Sequence, residues 1–309
     1  MIAFGPVPSR RLGHSIGINN IPPKVCSYTC VYCQLGKAIK VQSQRQAFYS
    51  TAEVVKATSE LLGNLEKNTP VDYLTLVPDG EPTLDINLRQ TITELKKLGY
   101  PVAVITNSSL LWDEKVREDL DEADWVSTKL DGGDEKTWKR VNAPHRHLDF
   151  DQMVEGLKAF SHSYQGLHVT ETMLIDCYND MQENIEHISA IMKSLKVDTA
   201  YVSIPTRPPA AKKIKPAGEQ AIVAAYDEFS KVVPKVEYLI GYEGNDFGYT
   251  GNLEEDILNI TAVHPMREDA VEEFLAKANA GWERIDELLK KGLLKKTEYS
   301  HHRFYSRKL

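Results

Sequence analysis

The sequence has few cysteines and lacks long apolar runs. Only four cysteines occur among 309 residues, which is too few for a disulfide-rich secreted domain and fits a reducing compartment. No apolar run approaches the ~18 residues that a membrane-spanning helix needs, and no basic segment with an apolar one behind it follows Met1. We therefore expect no signal peptide, no membrane partner and a cytoplasmic location.

Composition and charge exclude few further classes of protein. Hydrophobic residues make up 42% of the chain and charged residues 26%, as in a globular protein with one large core and a small second domain. The formal net charge of −7 argues against a protein that coats nucleic acid with its whole surface, but it permits a local basic patch. The sequence shows no internal repeat and no low-complexity segment.

Three of the four cysteines lie in one short stretch. Cys26, Cys30 and Cys33 have the spacing C-x3-C-x2-C, and Tyr32 directly precedes the last of them. Three thiolates on one loop can hold three irons of a [4Fe-4S] cluster, which leaves the fourth iron without a protein ligand. An open coordination position is typical of a reactive metal site rather than a structural one.

Two other interpretations of these cysteines are weaker. A zinc site would normally add a second Cys or His pair downstream, whereas His14 lies upstream and Cys177 is remote. A disulfide would use two of the three cysteines and leave the third unpaired, and nothing marks the chain as secreted. The stretch therefore favours a cluster loop.

Strand-like and helix-like segments alternate from the cluster loop to about residue 240. Ser50 and Glu53 have the spacing of a capping box, which predicts a helix start. Apolar runs predict strands at 73–77, 102–106, 125–130, 167–175 and 200–204, with helical segments between them. Such β-α units indicate an α/β fold with a parallel sheet and right-handed crossovers. About six units are too few for a closed eight-fold barrel.

The pattern changes after Thr261. Helices are predicted at 266–278 and 282–291 and strands at 293–299 and 303–307, which is typical of a winged-helix-like module. We therefore predict a barrel domain over 1–240, a linker over 241–263 and the module over 264–309. Between positions 288 and 309, seven Lys or Arg residues against one acid, Glu298, give a local charge of +6.

The cysteine loop resembles that of the radical S-adenosylmethionine (SAM) superfamily. The resemblance implies a partial (β/α)6 barrel, which agrees with the number of units, and two cofactors, a [4Fe-4S] cluster and SAM. In that family the open iron binds the amino and carboxylate groups of SAM, and an electron from the cluster cleaves SAM to a 5′-deoxyadenosyl radical. It also implies a flavodoxin- or ferredoxin-type electron donor. Tyr32 is assigned to the cofactor site.

Catalytic groups of parallel α/β folds lie at the carboxyl ends of strands. After the first predicted strand, Gly80 and Glu81 resemble the family's Gly-Gly-Glu motif, which holds the SAM amino group. Asp79 replaces the first glycine, and a plain turn is the alternative. Asn107 ends the next strand in a Thr-Asn pair of the kind that lines the SAM site in the family. A helix cap or a turn is its alternative.

The third predicted strand carries polar residues on one face. Strand alternation places Ser127, Lys129 and Asp131 together, and buried polar groups need partners. The resemblance implies a contact to the SAM ribose or carboxylate here, mainly by Lys129. A structural pair between Lys129 and Asp131 is the alternative.

Three more candidates follow along the chain. Glu171 lies inside an apolar strand, so its carboxylate needs a partner, either a barrel Lys or Arg or SAM itself. Asn179 aligns with an asparagine that follows this strand in the family. Arg207 precedes two prolines at a strand end and suits bidentate binding of a carboxylate or phosphate, unless it is a solvated loop residue. No particular catalytic residue is implied.

Two further runs, Gly-Pro-Val-Pro-Ser-Arg-Arg-Leu-Gly and Gly-Glu-Pro-Thr-Leu, resemble a radical SAM subgroup placed with the wyosine-forming tRNA enzymes. The likeness covers roughly residues 4–210. Those enzymes carry a second cluster on three further cysteines, whereas only Cys177 remains here, which argues against that reaction. The sequence therefore predicts a radical SAM enzyme that abstracts hydrogen from an RNA, tRNA or protein substrate, with the C-terminal module presenting it.

The alternative function is a non-catalytic [4Fe-4S] nucleic-acid-binding redox regulator. The winged-helix-like module favours it. The strand-end residues Glu81, Lys129 and Glu171 argue against it, because a redox sensor needs no such set.

Overall fold

The computed structural model describes residues 1–211 and 213–308. In chain order the strands are β1 (Ala3–Ser9), β2 (Gly13–Ile18), β3 (Val25–Cys26), β4 (Lys40–Val41), β5 (Tyr73–Leu76), β6 (Val102–Thr106), β7 (Trp125–Lys129), β8 (Leu167–Met173), β9 (Thr199–Ser203), β10 (Val236–Leu239), β11 (Met266–Arg267), β12 (Leu294–Tyr299) and β13 (His302–Arg307). The helices are α1 (Thr51–Asn64), α2 (Leu88–Lys96), α3 (Glu114–Leu120), α4 (Glu135–Asn142), α5 (Phe150–Ser163), α6 (Gln182–Met192), α7 (Glu219–Ser230), α8 (Leu253–Val263), α9 (Glu268–Lys277) and α10 (Glu283–Lys290).

A curled parallel sheet forms the main domain. Its order is β1-β2-β5-β6-β7-β8-β9-β10, with β1 antiparallel to β2 and each later neighbour parallel. Helices connect successive parallel strands, which gives six β-α units from β2 to β9 and then β10. The predicted α/β fold with a partial (β/α)6 barrel is confirmed.

Side-chain caps mark the start of several helices. Ser50 caps α1, and its hydroxyl accepts a hydrogen bond from the Glu53 amide at 3.3 Å while the Glu53 carboxylate accepts one from the Ser50 amide at 2.8 Å. Helices α3, α4 and α5 begin at Asp113, Asp134 and Asp149, each accepting a backbone N–H. Such caps satisfy amide groups that have no partner inside the helix. The predicted capping box is therefore confirmed.

Apolar side chains fill the lower part of the barrel. One buried cluster joins inward-facing residues of five strands with Leu12 from the turn between β1 and β2. Its members include Trp125, Val169 and Tyr201. Because strand side chains alternate, Ser127, Glu171 and Ser203 lie on the same inner face, one step closer to the carboxyl ends of the strands. The polar mouth of the barrel therefore rests on a packed apolar floor.

The C-terminal part covers the exposed edge of the sheet at β1. The Gly248 amide donates to the Pro6 carbonyl at 2.7 Å, and Val7 packs against the apolar core that contains Phe274 and Trp282. In this part of the chain, β11, β13 and β12 form an antiparallel sheet beside α9 and α10. A covered edge strand cannot pair with another chain. The winged-helix description of this module stays a prediction.

The segment predicted as a linker contains helix α8, which corrects that expectation. Ile257 and Ile260 of α8 are buried in the core of the C-terminal module. The first turn of this helix consists of acidic side chains, so the apolar stripe is too short to indicate a helix by periodicity alone. Among the described residues, no helix has both the length and the apolar character that crossing a membrane would require.

A buried histidine on the outer face of the barrel makes stability depend on pH. His168 is 2% exposed, with Nδ1 3.1 Å from the Lys196 carbonyl and Nε2 3.0 Å from the Thr128 hydroxyl. The carbonyl can only accept, so Nδ1 carries the proton and Nε2 accepts from the hydroxyl. Burial lowers the pKa of His168 to about 4. The folded chain therefore holds this imidazole neutral.

We expect the free energy of unfolding to fall by about 3 kcal/mol between pH 6.5 and pH 4. The reason is that His168 binds a proton in this range in the unfolded chain but not in the folded chain. This contribution is fully present above pH 6.5 and is lost as the pH falls. Urea unfolding at several pH values measures it. His168→Gln should flatten the profile, while the same change at exposed His187 should not; equal profiles for wild type and His168→Gln would contradict the assignment.

Candidate cluster and cofactor site

The cluster loop is held by main-chain hydrogen bonds at both ends. Cys26 lies in β3, and its carbonyl accepts from the Gln42 amide at 3.0 Å. The Cys33 amide donates to the Cys30 carbonyl at 3.1 Å, and Val31 donates to a carbonyl at the end of α4 at 2.9 Å. All three thiols are free and partly buried. The loop thus presents three cysteines from a fixed backbone at the carboxyl ends of the strands.

Without a bound metal, the environment of these three thiols favours their protonated form. Burial raises the pKa of Cys26 to about 12, and burial with the nearby Asp131 carboxylate raises the pKa of Cys30 further still. Burial also raises the pKa of Cys33, against hydrogen bonds from backbone amides that lower it. A thiol in such a place loses its proton when a bound metal supplies positive charge.

Side-chain amides point at two of the sulfurs. The Asn107 Nδ2 lies 3.6 Å from Cys26 Sγ, and the Asn142 Nδ2 lies 3.4 Å from Cys30 Sγ. Hydrogen bonds to ligand sulfurs are one of the means by which proteins set cluster potentials. Asn142 was not among the residues predicted from sequence, because it reads there as an ordinary polar residue at a helix end.

All three donors on this loop are cysteine thiols, the usual protein ligands of a [4Fe-4S] cluster. In the described chain, no three His, Cys, Asp or Glu side chains converge on one point as a lone metal ion requires. A [4Fe-4S] cluster instead binds each thiolate to a different iron, so its ligands stand apart. The three thiols still influence one another electrostatically. Cys26, Cys30 and Cys33 would therefore hold the cluster.

The loop after β5 packs closely against the cluster strand. A Cβ at Gly80 would overlap the Val25 carbonyl oxygen, so only glycine allows this approach. The Glu81 carboxylate is buried and accepts hydrogen bonds from the Thr83 amide and hydroxyl at 3.1 and 2.6 Å, from the Thr106 hydroxyl at 2.6 Å and from the Asn107 amide at 2.7 Å. Glu81 thus fixes the shape of the loop. Its binding of the SAM amino group stays a prediction.

Asn107 joins this loop to the cysteines. Its Nδ2 donates to the Ser27 hydroxyl at 2.9 Å as well as facing Cys26, and its Oδ1 accepts from the Ser109 amide at 3.0 Å. The turn expected as the alternative is therefore present. It does not exclude the cofactor role, because the same side chain lies directly beside a cluster ligand.

A charged network occupies the mouth of the barrel. The parallel register pairs Lys129 of β7 with Glu171 of β8, and Lys129 Nζ lies 2.8 Å from the carboxylate. Arg11 forms a second ion pair with Glu171, and the Ser203 hydroxyl donates to it at 3.0 Å. Glu171 therefore has the barrel Lys and Arg partners that the sequence required. The alternative pair of Lys129 with Asp131 does not form.

Two features of this mouth suit the polar groups of a ligand. Ser127 is fully buried, and its hydroxyl has no hydrogen-bond partner among the described residues. Burial lowers the pKa of Lys129 to about 8, against an opposing effect of Asp131. An unpartnered hydroxyl beside a buried amine is a suitable place for polar groups of a ligand, because burying such a hydroxyl unpaired costs free energy.

Asp131 connects the barrel to the cluster loop instead of pairing with Lys129. Its carboxylate accepts from the Tyr32 hydroxyl at 2.6 Å, from Asn142 at 2.8 Å and from the Met173 amide at 2.8 Å. Tyr32 also lies against Lys129, whose Nζ is 5.5 Å from the ring centroid. Tyr32 is therefore placed between the predicted cluster and the charged network.

Asn179 and Arg207 are both engaged within the protein. The Asn179 amide donates to the carbonyls of Asp131 and Met173, each at 2.8 Å, and its oxygen accepts from the Ile175 amide at 2.8 Å. The polar atoms of its side chain are thus hydrogen-bonded to backbone groups. Asn179 therefore shapes the site rather than presenting free atoms to it.

Arg207 is not a solvated loop residue. It forms an ion pair with Glu243, and its Nη2 lies 2.6 Å from His264 Nε2. His264 is buried and lies 2.9 Å from Glu243, while Arg10 approaches the same carboxylate at 3.9 Å. The guanidinium charges hold the pKa of Glu243 well below its usual range despite burial. This cluster joins the barrel mouth to the C-terminal module.

Comparisons with known proteins identify the family of this chain. The family model described as "Radical SAM superfamily" matches residues 20–188. The chain belongs to the radical SAM superfamily.

A UPF0026 protein of Methanocaldococcus jannaschii is 44% identical over 310 residues, covering 100% of this chain and 96% of that protein. A radical SAM methyltransferase structure from Sphaerobacter thermophilus aligns with a TM-score of 0.54 at 14% identity, over 72% of this chain and 66% of the other. The structure of TYW1 with a lysine-pyruvate adduct bound aligns with a TM-score of 0.52 at 14% identity, over 71% and 74%. The structural similarities at this identity show the fold alone.

Membership of this superfamily defines the class of protein. The chain is a radical SAM enzyme, with a [4Fe-4S] cluster and SAM as its cofactors. Enzymes of this class generally need an external electron donor. The residues assigned to the two cofactors here remain proposals, argued below from their contacts.

Proposed function

We propose that this enzyme cleaves SAM reductively and abstracts a hydrogen atom from a large substrate. Cys26, Cys30 and Cys33 would hold the [4Fe-4S] cluster, which would supply the electron for reductive cleavage of SAM. The observation that carries the proposal is the position of these three thiols above the polar barrel mouth. Ligands of parallel α/β folds bind at this end of the strands.

The chain's own residues bind and orient SAM at this site. Gly80 lets the loop after β5 approach the cluster strand, and Glu81 holds that loop to Asn107. Ser127 offers a free hydroxyl inside the barrel, and Lys129 offers positive charge for the SAM carboxylate. Tyr32 and Asn179 keep Asp131 in place between cluster and barrel. The packed apolar floor excludes water from below.

The experiment that tests this function is anaerobic reconstitution with iron and sulfide, followed by dithionite and SAM. We expect the release of 5′-deoxyadenosine, read by chromatography. A cluster spectrum that SAM does not perturb, with no nucleoside released, would favour the non-catalytic nucleic-acid-binding regulator instead.

The substrate is proposed to be RNA, tRNA included, held partly by the C-terminal module; an acidic protein is the other candidate. Tyr299 of β12 donates to the Pro205 carbonyl at 2.8 Å, which places the β12–β13 hairpin at the barrel mouth. Exposed lysines at α10 and β12 are Lys290, Lys291, Lys295 and Lys296. Among the described residues, Lys291 is the only one of the four with a carboxylate nearby, at 3.8 Å. Exposed lysines on the module, three of them without a carboxylate partner among the described residues, suit a phosphate backbone.

Replacing these four lysines with glutamate should weaken RNA binding and substrate turnover at least tenfold while substrate-free SAM cleavage persists. The reason is that neutralising phosphates releases counterions, so wild-type affinity should also fall steeply with salt. Filter binding of bulk tRNA between low and moderate salt measures this. Four exposed lysines at the opposite end of the sheet, Lys67, Lys193, Lys196 and Lys235, provide the charge-matched control. Salt-independent turnover, unaffected by the first set, would leave the module a structural cover.

A further inference from the structure

The amino-terminal part of the chain carries unbalanced positive charge. The first 52 residues contain six Arg or Lys residues and no Asp or Glu, in a chain of net charge −7. The three arginines are paired with largely buried carboxylates inside the fold. The other three are Lys24, Lys37 and Lys40, and none has a carboxylate within 4.0 Å in the described ranges. The charges of the exposed Lys37 and Lys40 are therefore available to a partner, while Lys24 is half-buried.

Exposed apolar side chains adjoin these lysines in the sequence of the short β3–β4 ribbon. Ile39 is 81% exposed, more than any other large hydrophobic residue in the described chain, and Val41 is exposed as well. The Ile39 amide donates to the Lys24 carbonyl at 3.0 Å, so the backbone is held while the side chain stays in water. Lys24, Lys37, Ile39, Lys40 and Val41 together form what we call the ribbon patch.

The ribbon patch lies next to a cluster ligand. In the parallel pairing of β3 with β4, Lys40 is opposite Val25 and Val41 is opposite Cys26. Adjacent strands lie about 4.8 Å apart. A molecule seated on the patch therefore comes within one strand spacing of the backbone that carries the cluster.

The C-terminal module contacts the cluster loop at a different place. Gln34, which follows Cys33, donates to the Val263 carbonyl of α8 at 2.5 Å. The ribbon instead borders the loop after β5, where the Lys24 amide donates to the Asp79 carbonyl at 2.6 Å. A partner on the ribbon patch and a substrate held by the module can therefore bind together.

We propose that the ribbon patch is the docking surface for an acidic, low-potential one-electron carrier that reduces the cluster; this rests on the function proposed above. The lysines attract an acidic surface and speed its encounter, and Ile39 supplies an apolar centre. Redox encounters use small interfaces, below about 1,200 Å² in total, which a patch of this size can serve. The carrier loses one electron, the cluster gains it, and no bond forms or breaks.

Nucleic acid is a weaker occupant for this surface. Proteins that bind single-stranded nucleic acid stack bases on aromatic side chains, and the ribbon patch contains none. An exposed isoleucine contributes nothing to phosphate binding. The test below includes nucleic acid as an outcome that would overturn the proposal.

The test measures cluster reduction by a reduced plant-type [2Fe-2S] ferredoxin in anaerobic stopped-flow, with the full reconstituted chain. The double variant Lys37→Glu, Lys40→Glu should lower the second-order rate constant at least tenfold, and the wild-type rate should fall as salt rises. Ile39→Ser should lower the rate several-fold without changing its salt dependence. Reduction by dithionite should stay within about twofold of wild type in both variants. Lys193→Glu, Lys196→Glu, at the other end of the sheet, is the control.

Ile39→Ser removes a solvent-exposed side chain and changes no charge. It therefore tests the ribbon patch even where the Lys37→Glu, Lys40→Glu variant holds less cluster. Unchanged ferredoxin reduction in both variants would overturn the proposal. So would weaker retention of bulk tRNA by the lysine variant with normal ferredoxin reduction, because the patch would then bind nucleic acid. Loss of dithionite-driven SAM cleavage from wild type would instead refute the proposed function itself.

Discussion

The Cys30→Ala variant is expected to release no 5′-deoxyadenosine from SAM under conditions in which the wild-type enzyme releases it readily. Removing one of three thiolates leaves an iron without its ligand, and no other cysteine in the chain can replace it. Cys177, the fourth cysteine, is exposed on the loop after β8. Its position in sequence and its exposure exclude it from the cluster loop.

The measurement combines three readouts on protein reconstituted side by side. Iron and sulfide content, the visible spectrum of the cluster and released 5′-deoxyadenosine are compared for wild type, Cys30→Ala and Cys177→Ala. The Cys177→Ala protein should match wild type in all three, which controls for the chemistry of reconstitution. Continued SAM cleavage by Cys30→Ala, or its loss in Cys177→Ala alone, would contradict the assignment of the cluster ligands.

Features that depend on short sequence separations could be predicted from the sequence. The capping box of Ser50 and Glu53 is confirmed because both partners lie within one helical turn. The three cysteines likewise act from a single loop, so their spacing carries the information. The order of β-α units follows from apolar runs and their lengths, which require no knowledge of which strands become neighbours.

Partners of buried polar groups could not be predicted in the same way. The sequence indicates that Glu171 needs a cation, but the choice of Lys129 depends on the register between β7 and β8. The second cation, Arg11, comes from a turn 160 positions away. Strand alternation predicted Asp131 on the same face as Lys129, with a pair between them as the alternative, yet the strand ends at Lys129 and Asp131 accepts from Tyr32. Each outcome depends on how distant segments pack.

The same limit explains the C-terminal segment. Arg207 was predicted to bind a carboxylate or phosphate of the cofactor, which stays a prediction, and within the protein it forms an ion pair with Glu243. Neither Glu243 nor His264 stands out in the sequence, because an isolated acid or histidine has many ordinary roles. Their importance becomes evident only when the fold brings them together beside the barrel mouth.

The Glu171→Leu variant should lose about 3–5 kcal/mol of unfolding free energy, because it leaves two buried cations without their counter-ion. Arg11 and Lys129 both pair with this carboxylate, and their side chains are only 18% and 16% exposed. Urea unfolding at pH 7 measures the loss. The control is Glu237→Leu on β10, whose carboxylate pairs with the exposed Lys235; exposed pairs contribute at most about 1 kcal/mol.

A triple variant separates stability from ligand binding. Replacing Arg11 and Lys129 with methionine in the Glu171→Leu background removes all three charges, and such whole-network replacements are often close to neutral in stability. We therefore expect the triple variant to recover most of the lost stability. If Lys129 binds the SAM carboxylate, the stable triple variant should still bind SAM at least tenfold more weakly, by titration of the cluster spectrum. Recovered stability with unchanged SAM affinity would show the network to be structural and would contradict the cofactor role of Lys129 and Glu171.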